Sequence, residues 1–252
     1  MGFSTRKEKI LELLEEKGSV SVTEMSALFA VSEVTVRNDL ADLESKGLLS
    51  RVHGGAVSSY KPYYNMNLNQ RMKANQSKKK EIAEKVAPLI NDNDTIMINS
   101  GTTSLLAFRA LCPDYHLNIV TNSIAIALEA ANNHNYNIVL VGGSVNTTYQ
   151  FTYGFDAVSL LKNYHADKLI LSVDGIDVKN GFTTYYDKEV SIAQTMIENS
   201  DIRIVVADTS KFERTAFTKI SDLSVASYIV TNGSLNQLLY EELASKGISV
   251  LK

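Results

Sequence analysis

The stretch Ser32–Asp42, SEVTVRNDLAD, constrains this chain more than any other, because its apolar residues recur at a helical period while the remaining faces stay polar. With Ser32 as N-cap, Val36, Leu40 and Leu43 fall at i, i+4 and i+7 and make one inward face. At about 100° per residue, Val34, Thr35, Asn38 and Ala41 then point away from that face, with Arg37 on the flank. Those side chains suit a major groove, where Asn pairs with an adenine edge, Arg with guanine, and an outward methyl touches thymine. The same pattern also describes an ordinary solvated helix face, so the flanking segments decide between the two.

Upstream, a helix over 5–17 turns Ile10, Leu13 and Leu14 inward and stops at Gly18. Ser21 or Thr23 caps a second short helix through about Ala30, with Met25, Leu28 and Phe29 available to the core. After Gly47, residues 48–53 alternate loosely and turn at Gly54-Gly55, the pattern of a small hairpin. Three short helices and a hairpin predict a winged helix-turn-helix over residues 1–57. The candidate DNA contacts are Ser32, Val34, Thr35, Arg37 and Asn38 on the third helix, with Arg51 and His53 in the wing.

At 252 residues the chain is long for that module alone, so a second domain follows. Charge marks the joint. Residues 61–80 hold six basic side chains and no acid, namely Lys61, Arg71, Lys73, Lys78, Lys79 and Lys80. A basic linker over 58–80 could touch DNA phosphates, or be a solvated linker helix. Residues 81–252 carry twelve basic and nineteen acidic groups, which argues against a second DNA-gripping surface there. The single cysteine, Cys112, excludes an internal disulfide and suits a reducing cytoplasm. No run approaches the roughly 18 apolar residues that a membrane span requires. His53, His116, His134 and His165 are scattered and apart from Cys112, so neither a metal site nor a cofactor is expected.

From Glu81 onward helices and strands alternate. Strands are expected at 95–99, 117–121, 137–141, 168–173, 202–207 and 228–230, with helices near 81–90, 103–111, 123–132, 188–199 and 235–245. That order predicts a Rossmann-like α/β domain over 81–252 with a largely parallel sheet. Ligands of such sheets sit at the carboxyl ends of strands. The candidates there are Ser100, Gly101, Thr102 and Thr103, which open a helix, together with Asn122, Gly142, Gly143, Asp174 and Lys211. Glycine and serine at such places also serve as turns and caps, and Lys211 reads equally as a solvated side chain after an Asp208 cap. Glu189 reads most simply as a surface charge.

Arg6, Ile10, Leu14, Ser32-x-x-Thr35-Val36-Arg37-Asn38-Asp39-Leu40 and Arg51-Val52-His53-Gly54-Gly55-Ala56 resemble the signature of the DeoR-type bacterial transcriptional regulators. Ser100-Gly101-Thr102-Thr103, Thr121-Asn122, Gly142-Gly143, Gly154, Gly181 and Asp208-x-x-Lys211-Phe212 resemble the family's sensor domain, so the likeness spans nearly the whole chain. It implies a repressor of carbohydrate-metabolism genes, with a sensor fold similar to ribose-5-phosphate isomerase and glucosamine-6-phosphate deaminase. The implied partners are double-stranded operator DNA and a phosphorylated sugar effector, with the chain as a homodimer or homotetramer and no catalytic residues. Asn38 stands where members often carry a second Arg, Asn99 where an Asp is usual, and Asn146 where a basic residue often follows the glycine pair. The alternative is a phosphosugar isomerase or deaminase carrying a DNA-binding module, for which Asp174, Glu189 and Lys211 are the available proton-transfer groups.

Overall fold

In the computed structural model, which describes residues 3–17, 19–45, 48–58 and 66–252, the chain divides into two units, Met1–Met66 and Asn67–Lys252. The positions expected to end the first helix (Gly18), to open the hairpin (Gly47) and to start the basic joint (Lys61) lie outside the described residues.

The first unit runs α1 (Phe3–Lys17), β1 (Ser19–Ser21), α2 (Val22–Phe29), α3 (Glu33–Ser45), β2 (Leu49–Val52) and β3 (Gly55–Ser58). Ser21 is the cap of α2, its hydroxyl accepting from the Glu24 N–H at 3.0 Å. Ile10, Leu14, Val20, Met25, Val36, Leu40, Leu43, Leu49 and Ala56 form one buried core. Leu13 and Phe29 are half-buried and Leu28 is 58% exposed, so the second helix contributes less apolar area than its sequence suggests. The reason is its length: two turns against α3 cover a single stripe, which Val22 and Met25 fill. The strand β1 was not legible in the sequence. It pairs antiparallel with β3, giving the order β1-β3-β2. The hairpin turn is His53-Gly54, one residue earlier than expected, with Gly54 at φ +80°. Gly55 already belongs to β3, where a Cβ would stand 2.1 Å from the Val20 carbonyl oxygen of β1.

The second unit opens with α4 (Leu68–Lys73) and α5 (Gln76–Val86). A sheet follows from β4 (Thr95–Ile98), β5 (Leu117–Thr121), β6 (Tyr136–Leu140), β9 (Ala166–Ser172), β12 (Ser200–Val206), β14 (Tyr228–Val230) and β15 (Ser249–Leu251). All its pairings are parallel, in the order β15-β14-β12-β9-β4-β5-β6. Helices α6 (Thr102–Arg109), α7 (Ile124–Ala130), α8 (Phe155–Leu161), α9 (Asp187–Glu198) and α10 (Gln237–Ser245) connect or flank the strands. Successive strand residues feed opposite faces. Ile96 and Ile98 join Ile82, Leu105 and Phe108 in one core, while Met97 joins Leu161, Ile192, Met196 and Leu243 in the other. Two antiparallel additions complete the unit: β7 (Ser144–Asn146) with β8 (Phe151–Tyr153), and β10 (Gly175–Asp177), β11 (Gly181–Thr184) and β13 (Thr218–Ser221). Among the described residues no helix is long and apolar enough to cross a membrane.

The expected basic linker over 58–80 meets a correction. Residues 67–80 belong to the second unit, where Asn67 and Gln70 form a capping box at the start of α4. Lys79 is 1% exposed and donates to the Arg71 and Ala74 carbonyls at 2.6 and 2.8 Å. Arg71 is buried as well. These two cations are therefore withheld from a DNA backbone, because their charge is used inside the unit.

Candidate functional site

The surface suited to DNA is built on α3. Ser32 accepts from the Thr35 N–H at 3.2 Å, which fixes the start of the helix. Val36, Asp39, Leu40 and Leu43 are buried, and Val34, Arg37 and Asn38 are exposed, Val34 to 62%. Thr35 is half-buried and its hydroxyl meets that of Ser32 at 2.9 Å. Arg37 pairs with Glu33 at 2.5 Å across one exposed helical turn, a contact worth only about 0.3–0.5 kcal/mol and easily exchanged for a base edge. Asp39 reaches inward to Arg6, with Nε to Oδ2 at 2.5 Å, so it is a structural carboxylate. In the wing His53 is exposed, while Arg51 donates through its N–H and Nε to Glu44 at 2.9 and 2.6 Å. That bond ties the hairpin to the last turn of α3.

In the second unit the strand order reverses at β4. The chain proceeds from β4 to β5 and β6 on one side, then returns to place β9 on the other. Crevices at such reversals, outside the carboxyl ends of the strands, are where open α/β sheets hold ligands. Here the loop after β4 supplies Asn99, Ser100 and Gly101, and the loop after β9 supplies Val173 and Asp174. Asn99 joins the two: its Oδ1 accepts from the Ser172 N–H at 2.8 Å and its Nδ2 donates to the Ser172 carbonyl at 3.0 Å. Gly101, at φ +152°, lies so close to β9 that a Cβ would be 1.9 Å from the Ser172 hydroxyl. Thr102 and Thr103 are buried in the first turn of α6, which has no side-chain cap, so its leading N–H groups and dipole end face the loop. Asn122 accepts from the Ser100 N–H at 2.8 Å and donates to the Thr152 carbonyl at 3.2 Å, fixing the loop after β5 to the same place.

The charged groups meet around Asp174. Its carboxylate accepts from the Thr184 hydroxyl at 3.3 Å and the Tyr185 N–H at 3.2 Å. Lys211 Nζ stands 3.7 Å and Arg71 Nη1 3.9 Å from Asp174 Oδ1. Lys211 is buried after a short turn that Asp208 caps through the Ser210 N–H at 3.0 Å. Arg71 lies over two tyrosine rings, 4.8 Å from Tyr149 and 5.6 Å from Tyr186. Glu189, in the first turn of α9, accepts a hydrogen bond from the Ser100 hydroxyl.

Burial pushes the Asp174 carboxyl upward, but Lys211, Arg71 and the two hydrogen bonds outweigh it and hold the group below its ordinary value, so it stays ionised. Burial dominates at Glu189, with the neighbouring Asp174 charge adding to it, and raises its carboxyl to about 7 against the opposing pull of Ser100 and Arg71. Near neutrality, among the described residues, the cations of Lys211 and Arg71 face the full carboxylate of Asp174 there. That electropositive, hydrogen-bonding arrangement suits an anion that also carries hydroxyls.

The family model for the DeoR-like helix-turn-helix domain matches residues 6–61, and that for the DeoR C terminal sensor domain matches residues 74–233. The chain belongs to the DeoR family of transcriptional regulators. One relative is YulB, an uncharacterized HTH-type transcriptional regulator of Bacillus subtilis (strain 168), 34% identical over 250 residues and covering 99% of this chain and 96% of its own. Another is the glycerol-3-phosphate regulon repressor of Haemophilus influenzae, 33% identical over 231 residues, 92% of this chain and 90% of its own. Among solved structures, a ribose 5-phosphate isomerase A from Methanocaldococcus jannaschii aligns with a TM-score of 0.41 at 16% identity, over 55% of each chain.

The departures from the DeoR pattern have local explanations in two cases. Asn99 both accepts and donates across β4 and β9, a double role that an aspartate could not fill. Asn146 accepts from the Thr148 and Tyr149 N–H groups, each at 3.1 Å, and so forms the turn that carries Tyr149; a basic side chain has no acceptor to offer. Asn38 is exposed on α3, and nothing in the structure distinguishes it there from Arg. Of the residues expected at the sensor site, Ser100, Gly101, Asn122, Asp174 and Lys211 come together. Gly142 and Gly143 are exposed in the loop after β6, where Gly143 approaches the Tyr153 carbonyl. Glu189 is half-buried and hydrogen-bonded within the site, which corrects its reading as a surface charge. Arg71, Tyr149 and Tyr186 join the site without being legible in the sequence, where no local signal sets Arg71 apart from the lysines around it.

Proposed function

We propose that this DeoR-family chain represses carbohydrate-metabolism genes in the cytoplasm by binding operator DNA through α3 and the wing, and that a phosphorylated sugar in the switch-point crevice changes operator affinity. The observation that carries the effector reading is the convergence of two buried cations, Lys211 and Arg71, on Asp174 beside the uncapped start of α6. Phosphate suits the cations and the helix N-terminus, and sugar hydroxyls suit Asp174 and Asn122. Ser32, Val34, Thr35, Arg37 and Asn38 supply the groove contacts, with Arg51 and His53 at the backbone or minor groove. Helix-turn-helix operators are commonly paired half-sites, so the working species is a homodimer or homotetramer. An effector coupling of about 1–3 kcal/mol changes operator affinity roughly 5- to 150-fold. The relative named for glycerol 3-phosphate adds a phosphorylated polyol to the compounds worth testing.

The test is a thermal-shift screen with ribose 5-phosphate, glucosamine 6-phosphate, fructose 6-phosphate and glycerol 3-phosphate, each beside its unphosphorylated counterpart. A true effector raises the melting point by mass action, and the counterpart does not. The same compound must alter retention of a duplex that the protein selects from a random-sequence library. On that duplex Arg37→Ala and Asn38→Ala should each lose about 1–3 kcal/mol of binding while circular dichroism stays unchanged. A flat screen overturns the effector reading, and turnover of any of these compounds would favour the isomerase or deaminase alternative.

A further inference from the structure

The start of the second unit is tied into the crevice in a way that the basic composition of 61–80 did not disclose. Helix α4 has six residues, too few to be stable alone, so its position depends on what its side chains touch. Leu68 is buried, and its N–H donates to the Thr148 carbonyl of the turn that carries Tyr149. Arg71 extends from the same helix to the two tyrosine rings and to Asp174. Lys79 of α5 then bonds the Arg71 and Ala74 carbonyls, holding the end of α4 from below. Residues 67–79 thus form one braced segment whose most distant reach is into the sensor site, and it is the segment the chain enters on leaving the DNA-binding unit.

The separation between Arg71 and Asp174 matters. At 3.9 Å the two groups attract but do not share a hydrogen bond, and the same is true of Lys211 and Asp174 at 3.7 Å. Charge-assisted hydrogen bonds close to about 2.7–2.9 Å, shorter than either separation, so both cations hold Asp174 by charge attraction and not by a hydrogen bond. A guanidinium also offers a planar pair of donors that matches a phosphate edge, which a lysine cannot.

We propose that Arg71 is an effector-binding residue whose guanidinium turns from Asp174 to the effector's anionic group, drawing α4 with it and so passing occupancy of the crevice to the segment that leads to the DNA-binding unit. This rests on the effector reading above. It adds a ligand contact and a route of coupling: the ligand has differential affinity for two positions of α4, which is what an effector needs in order to shift a conformational equilibrium.

The experiment uses the full chain and the phosphorylated sugar giving the largest thermal shift in the screen. Calorimetric titration of Arg71→Gln and Arg71→Lys is paired with amide hydrogen exchange over residues 67–79 of the unsubstituted protein, with and without that compound. The expected result is at least a tenfold loss of affinity for Arg71→Gln and a smaller loss for Arg71→Lys. Exchange at 67–79 should change on saturation, whether or not either variant folds well. Binding by Arg71→Gln within twofold of the unsubstituted protein, or unchanged exchange over 67–79 at saturation, overturns the inference while leaving the effector reading intact. A screen in which no compound shifts the unsubstituted protein overturns both.

Discussion

Glu189 shows how far a single side chain can depart from its sequence environment. In YYDKEVS it reads as one more charge on a solvated first turn, yet it accepts from Ser100 inside the crevice and its carboxyl rises to about 7. The folded state therefore holds a proton that the unfolded chain releases near the ordinary carboxylate value. Stability from this group is complete below about pH 4, declines as pH climbs towards 7, and is absent above it. The span corresponds to at most about 3 kcal/mol, reduced by solvent reaching a half-buried group. Glu189→Gln, which keeps an acceptor for Ser100, should melt higher than the unsubstituted protein at pH 8 and equally at pH 4. Parallel melting curves across that range would show that Glu189 does not hold its proton. The candidate DNA residues were more legible, because Val34, Arg37 and Asn38 owe their exposure to the local helical period alone.

Elements with strong periodic patterns were readable to within a few residues. The strands at 117–121 and 228–230 agree at both ends, and the helices expected at 103–111 and 188–199 are Thr102–Arg109 and Asp187–Glu198. The pieces that escaped are short and depend on distant partners. The strand β1 has three residues and exists by pairing with β3, and β7, β8, β10 and β15 are equally brief. Helix α8 also escaped, at seven residues behind an uncapped glycine. The Ser100–Thr103 loop is an element-scale device too: it combines a backbone angle that favours glycine with contact between Gly101 and β9. Gly101→Ala should cost about 1–3 kcal/mol through backbone strain, with more from the clash at Ser172. Calorimetric titration should find effector affinity lost. Unchanged affinity and melting would mean the loop relaxes without harm to the crevice.

For the whole molecule, each unit owns a separate apolar core, one around Ile10, Val36 and Leu40 and the others on the two faces of the parallel sheet. A fragment spanning 67–252 should consequently melt cooperatively and bind the same phosphorylated sugar with near-native affinity, as read by calorimetry. It should retain no selected duplex in a gel shift. A fragment that fails to fold, or that still binds the duplex, would contradict separate cores serving separate tasks.

The sequence by itself determined the winged module, the alternation of helix and strand, and the loops at strand ends, because those follow from local periodicity and from residues such as Ser21, Gly54 and Gly101 whose backbone preferences act within a few positions. Only the tertiary structure decided that Arg71 and Lys79 serve the second unit, and that Glu189 and Asp174 share one crevice with opposite protonation. Those outcomes depend on which distant groups remove water from a charge and which supply a counter-charge. That information resides in the order of the strands across the sheet.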